Sequence, residues 1–243
     1  MSRISFLSGN SLKLLGAILM LIDHIGVFLF PNTAILRYIG RLSFPIFALM
    51  ISEGAKYTRN KTNYVLGIAT LALLCQASLY FYDNKNLEMS ILVTFTLSIV
   101  IIYALNNMKK AIFIGDKKNK QTSIWLFIFV ITATYLFTLF FNVDYGFAGV
   151  LTPVFASLFD FRSTDAPQRL KKLDNIYIRV LSMGVALVIL AFSMEAMQFY
   201  SLLAIPLLML YSEKRGRLNL KYFFYVFYPV HILVLEGISY ILV

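Results

Sequence analysis

The chain has 243 residues, of which 59% are hydrophobic and 14% charged, with a mean hydropathy of +0.75 and a formal net charge of +10. A soluble domain carries about 25% charged residues, so this composition excludes an ordinary water-facing surface. One cysteine, Cys75, excludes a disulfide framework within the chain, and no Cys/His cluster has zinc-site spacing, so no metal is expected.

A membrane-spanning helix takes about 20 apolar residues, and about nine such segments follow one another, at 12–30, 35–56, 64–82, 89–105, 123–141, 147–161, 176–192, 196–211 and 222–243. The first lacks a small-residue cleavage site and carries Asp23 and His24, so it reads as a retained span and not as a signal peptide. The second carries Arg37, Arg41 and Glu53, and Pro45 cannot donate to the Arg41 carbonyl, so a kink is expected beside that arginine. The sixth is short and contains Pro153; only Ser193-Met194-Glu195 separates the seventh from the eighth. The ninth contains Tyr228, Pro229, His231 and Glu236, and Pro229 frees the Tyr225 carbonyl just before the histidine. The longest connections, 106–122 and 162–175, read as polar cytoplasmic loops. No internal repeat, low-complexity tract, soluble domain, Walker, Rossmann or nucleophile-elbow motif interrupts the pattern. The fold class is therefore all-α, a polytopic transmembrane helix bundle forming one domain over 1–243.

Alternating the segments across a bilayer puts all but three of the 22 lysines and arginines on one side; the exceptions are Arg37, Arg41 and Lys85. The favoured side includes Arg3, Lys56, Arg59, Lys61, Arg162 and Arg179. The positive-inside rule then predicts a cytoplasmic N-terminus and an external C-terminus. It also accounts for the basic charge without nucleic acid as a partner; lipid headgroups or the phosphates of a cytoplasmic cofactor remain as anionic partners.

Ionisable groups inside spans are costly, so each needs a reason. They are Asp23, His24, Arg37, Arg41, His231 and Glu236, with Glu53 near the inner end of the second span. At about 1.5 Å of rise per residue, His24, Arg41 and His231 all fall in the middle third of the apolar layer. Consecutive residues point about 100° apart on a helix, so Asp23 is better placed to hold an arginine of the second span, with Arg41 the expected partner, than to orient His24. Arg37 is expected to reach the outer headgroups. Tyr228 and His231 share a helix face. These groups read either as interhelical hydrogen-bonding and ion-pairing residues or as one site; their common depth favours a site.

These residues also resemble a family. Leu21-Ile22-Asp23-His24-Ile25-Gly26 is similar to the DHIG signature of TraX-type proteins. The run from Gly40-Arg41 through Phe44-Pro45 to Phe47 resembles their second element, followed by Glu53-Gly54 and Tyr57-Thr58-Arg59. Gln76 after Cys75, Tyr145-Gly146 with Gly149, and Phe224, Tyr228-Pro229 and His231 continue the match in order along nearly the whole chain. Ser90 stands where the family usually has asparagine.

The resemblance implies a multi-pass acyltransferase of the bacterial cytoplasmic membrane. Acetyl-CoA would be the acyl donor, and the acceptor would lie within or beyond the membrane. The expected acceptor is the N-terminal amine of an exported peptide or pilin-like protein. A cell-surface glycan hydroxyl is the near alternative, and a proton-coupled transporter or exporter the distant one. Transfer needs a base and a stabilised oxyanion. Burial keeps imidazole neutral, so His24 is expected as base or acyl carrier with His231 as its partner. Arg41 would face the oxyanion and Asp23 would hold it. Tyr228, Glu236, Ser90, Gln76 and Tyr145 are the expected substrate contacts; Arg41, Lys56, Arg59 and Lys61 are expected to receive the donor's phosphates.

Overall fold

Long apolar runs in lipid must satisfy every backbone N–H and C=O internally, which leaves the helix as their solution. The computed structural model describes residues 5–82, 89–114, 117–161, 164–217 and 220–242, so the expected cytoplasmic cations Arg3 and Arg162, the outer Lys85 and the last residue of the ninth segment lie outside the described residues. The fold is all-helical, 80% helix with no strand among the described residues. Among the described residues six helices are long and apolar enough to cross a membrane: Gly9–Phe28, Ala34–Tyr57 taken through its bend, Ile91–Ile114, Lys118–Phe140, Ile176–Ser193 and Phe223–Ile241. Gly146–Ser157 and Ala196–Met209 are apolar but shorter.

The chain forms two compact units, one of residues 1–50 and 191–243, the other of 51–190. In the first, α1 (Gly9–Phe28) is capped by Ser8, whose hydroxyl accepts from the Ser11 N–H. Two of the N–H groups that a helix start leaves unpaired, those of Gly9 and Asn10, donate to the Lys214 and Arg215 carbonyls, and Leu7 bridges Tyr211 beside them. The chain returns as α2 (Ala34–Gly40), which packs along α1. It bends at Arg41-Leu42 and resumes as α3 (Ser43–Tyr57). The expected kink is thus a break into two helices, four residues before Pro45, where the proline leaves the Arg41 carbonyl without its helical donor.

The eighth apolar segment is not one α-helix. A 3-10 helix, Ala196–Leu203, runs into α10 (Ala204–Met209). Pro206 has no N–H for the Leu202 carbonyl and its ring crowds that group, so the preceding residues tighten to i→i+3 bonding. The 3-10 helix packs on α2 and on α10, and α11 (Lys221–Leu242) packs on α1.

The second unit is organised around α5 (Ile91–Ile114), which packs against α4 (Lys61–Tyr82), α6 (Lys117–Phe140) and α7 (Gly146–Ser157). The expected polar loop at 106–122 is instead mostly helix, the end of α5 and the start of α6. Its lysines, with Met108, Ala111 and Gln121, are good helix formers, and the cations extend past the apolar run as helix. Only 6% of the apolar window of α6 is buried. A helix apolar on all sides with almost no protein cover is stable against lipid, not water. The short α8 (Gln168–Lys171) and α9 (Ile176–Ser193) complete the unit.

Candidate functional site

Consecutive residues on α1 must face different neighbours, and Asp23 and His24 do. Asp23 faces α2, where the Arg37 Nη1 donates to its Oδ2 at 2.8 Å. Arg37, expected to reach the outer headgroups, thus pairs with Asp23, for which Arg41 is the expected partner. The register explains this. A Cβ on Gly40 would collide with the Asp23 side chain, so Gly40 lies level with Asp23 and lets α2 close in. Arg37 stands one turn before Gly40 on the same face and reaches back to the carboxylate. Gly26 plays the same part a turn later: an added Cβ there would stand 2.9 Å from the Leu36 Cβ. Arg41 stands at the bend, as the C-cap of α2.

His24 faces α11. Its Nδ1 lies 2.9 Å from the Nε2 of His231. The Nδ1 of His231 lies 2.7 Å from the Phe227 carbonyl, one turn earlier. These contacts fix the tautomers of a neutral pair. A carbonyl only accepts, so His231 carries its proton on Nδ1 and offers a lone pair at Nε2. His24, whose ring also bonds the Met20 backbone one turn earlier, then donates from Nδ1 to His231, and in that tautomer its own Nε2 carries a lone pair. Phe227 also stacks on the His231 ring at 4.7 Å between centroids, and Tyr228 meets it edge-on at 5.8 Å. Two aromatic rings of its own helix thus pack against it. Sequence reasoning named Tyr228 but not Phe227, whose position four residues before His231 carried the signal. Glu236 is buried on the same helix beyond His231. Among the described residues, no group of three metal-ligating side chains converges.

The remaining expected contacts lie in the second unit. Gln76 Oε1 accepts from the Ser90 N–H at 3.1 Å. Beside it Met89 bridges Val143, and the Thr94 hydroxyl donates to the Asp144 carbonyl at 2.6 Å. Tyr145 follows in the left-handed region, with φ 61°, as the N-cap of α7. A Cβ on Gly149 would collide with the Tyr145 Cβ, so that glycine makes room for the tight turn. Gln76, Ser90 and the Tyr145 turn thus meet at one end of α5.

Of the expected phosphate-binding cations, Lys56 is buried: its ammonium donates to both Asp174 oxygens at 2.8 and 3.1 Å and lies 3.5 Å from Asp160. Arg59 and Lys61 are exposed, and the Lys61 ammonium sits 5.1 Å from the Tyr103 ring centre. A hollow of about 310 Å³ nearby on α5 and α6 is lined by Asn107, Lys110, Asn119 and Ser123. Lys56 belongs to a larger buried network that the sequence did not disclose. Arg179 is 0% exposed and bonds Glu53, the Ser52 hydroxyl and the Ala156 carbonyl. Lys109 donates to the Ser157 and Asp160 carbonyls. Arg179 and Lys109 sit where segments end, and both read as flanking cytoplasmic charges; Arg179, already inside the seventh apolar segment, carried the signal.

Apolar helices with little protein cover, and polar side chains turned inward to a histidine relay, define an all-helical protein of membrane type. The chain belongs to the TraX protein family, whose model matches residues 8–239. It is also similar to an uncharacterized protein of Rickettsia prowazekii (strain Madrid E), 31% identical over 96 residues. That match covers 40% of this chain and 37% of the rickettsial protein's length. No solved structure matches the chain.

Proposed function

We propose that this protein is a membrane acetyltransferase that moves an acetyl group from acetyl-CoA to the N-terminal amine of an exported peptide or protein. The observation that carries this reading is the His231–His24 relay, which leaves the His24 Nε2 lone pair as a base held in place by two helices. In the reaction, the acceptor nitrogen attacks the thioester carbonyl carbon as His24 Nε2 takes its proton. The C–N bond forms, the C–S bond breaks, and CoA leaves as thiolate. The imidazolium that forms on His24 is steadied by its Nδ1–H bond to His231. Arg41, at the α2–α3 bend, supplies positive charge for the oxyanion, and the Asp23–Arg37 pair fixes the helix that presents it.

In this reading the chain crosses the bacterial cytoplasmic membrane about nine times, with its N-terminus inside and C-terminus outside. The exposed Arg59 and Lys61, with Lys110, offer charge to the donor's phosphates from the cytoplasmic side. Lys56 is spent on Asp174 and Asp160 and drops out of that set. The same base would serve a sugar hydroxyl. Purified protein given radiolabelled acetyl-CoA with amine-terminated peptides or glycans separates the two acceptors. Label on neither, together with solute flux in proteoliposomes, would replace this reading with transport.

A further inference from the structure

The 3-10 helix Ala196–Leu203 buries an unusual pair. Its two buried residues are both polar, Gln198 at 3% exposure and Ser201 at 0%, while Phe199, Tyr200 and Leu203 lie exposed. In a 3-10 helix i and i+3 eclipse, so Gln198 and Ser201 form one inward stripe, continued by the buried Ala204 and Leu208 of α10. Neither the Gln198 Nε2 nor the Ser201 Oγ has a hydrogen-bond partner. Among the described residues several buried hydroxyls are satisfied within the protein: Ser98 donates to the Thr94 and Val150 carbonyls, Thr152 to Ala148, and Ser52 pairs with Ser157, while the Ser90 and Tyr103 hydroxyls share the exception singly and not as a stripe. Buried polar groups are hydrogen-bonded as a rule, and an exception points to a group the protein meets in use.

The placement says which use. The 3-10 helix packs on α2, and Tyr200 stacks on Tyr38 at 4.3 Å between centroids and 10° between planes. Arg41 stands three residues beyond Tyr38, and α2 holds Asp23 of the histidine-bearing α1 through Arg37. The spacing says what is read. Gln198 and Ser201 are separated by about 6 Å along a 3-10 axis rising about 2.0 Å per residue. An extended peptide presents alternate backbone groups on one side every 6.6 Å or so. The amide N–H groups of Gln198 and the hydroxyl of Ser201 suit backbone carbonyls, which are uncharged acceptors.

We propose that Gln198 and Ser201 grip the backbone of an extended peptide acceptor on the 3-10 helix that packs against α2. This rests on the acetyltransferase reading for its kinetic test but not for its binding test. Full-length protein in detergent would carry Ser201→Ala or Gln198→Met. The expected result is an unchanged or raised Tm in both, because an unsatisfied polar atom has been removed. The KM for a peptide acceptor rises about tenfold, with the KM for acetyl-CoA and kcat near wild type. Three results would overturn the proposal: an unchanged peptide KM, a rise confined to the acetyl-CoA KM (which assigns the pair to the donor's amide-bearing arm), or a fall in Tm of both variants, which makes the pair structural. Should the wild type transfer no acetyl group at all, a blocked tripeptide serves as probe. A tripeptide-induced rise in Tm that Ser201→Ala abolishes upholds the grip, and no rise in the wild type contradicts it.

Discussion

At the scale of single residues, the relay turns on where two protons sit. Phe227 fixes the His231 proton, and His231 in turn fixes that of His24. A side chain at 231 that can still accept from His24 should therefore retain part of the activity. We expect transfer rates in the order wild type, His231→Gln, His231→Leu, with the leucine variant down about 10²–10⁴-fold, the usual worth of a positioned base. Equal rates for the two variants, measured on correctly folded protein, would remove His231 from the relay. Asp23 and Arg37 make a separate prediction. The pair is partly buried, so a double-mutant cycle with Asp23→Asn and Arg37→Gln should give a coupling of about 0.5–3 kcal/mol in thermal or denaturant unfolding. A cycle with Arg41→Gln in place of Arg37→Gln should give less. The sequence placed His24, Arg41 and His231 at a common depth because depth follows from counting residues. Which arginine meets Asp23 depends on the register of two antiparallel helices, and counting along one helix does not contain it.

At the scale of elements, the glycines of the family's short motifs set that register. Gly40 gives Asp23 its space, and no flexible side chain end is there to yield. Gly40→Ala should cost at least the 1–3 kcal/mol typical of overpacking and push α2 off α1. The loss should show as a lowered Tm and as protease cleavage near the α1–α2 turn; a wild-type Tm would contradict the close approach. Apolar length made the long helices legible, but two element boundaries were not. The 3-10 stretch before Pro206 and the helical run through 106–114 both depend on hydrogen bonding that hydropathy does not register. The network of Glu53, Lys56, Lys109, Asp160, Asp174 and Arg179 escaped for a related reason. Its members are far apart in sequence and stand at segment ends, where a charge ordinarily meets solvent. Removing one partner of a buried pair leaves a bare charge, so Arg179→Met should destabilise by about 3–5 kcal/mol, and adding Glu53→Leu should recover most of that. Failure of the second change to restore the Tm would mean the pair does not act as a unit.

At the scale of the whole molecule, membership of the TraX family, an all-helical membrane-type fold and a part-buried histidine relay point the same way. Each unit contributes its own part. The unit of residues 1–50 and 191–243 holds the proposed base, the arginine-bearing bend and the proposed peptide grip. The unit of 51–190 holds the ion network and the exposed Arg59 and Lys61, proposed to meet the donor's phosphates. The measurement that tests this account most directly follows the acetyl group itself. Wild type and His24→Ala, purified in the same detergent and matched in Tm, would be incubated with labelled acetyl-CoA and an amine-terminated peptide, and the peptide's mass read. The account predicts a gain of one acetyl group on the N-terminus with wild type and its loss with His24→Ala. Acetylation that continues undiminished in His24→Ala, or a wild type that neither binds nor consumes acetyl-CoA, would contradict it.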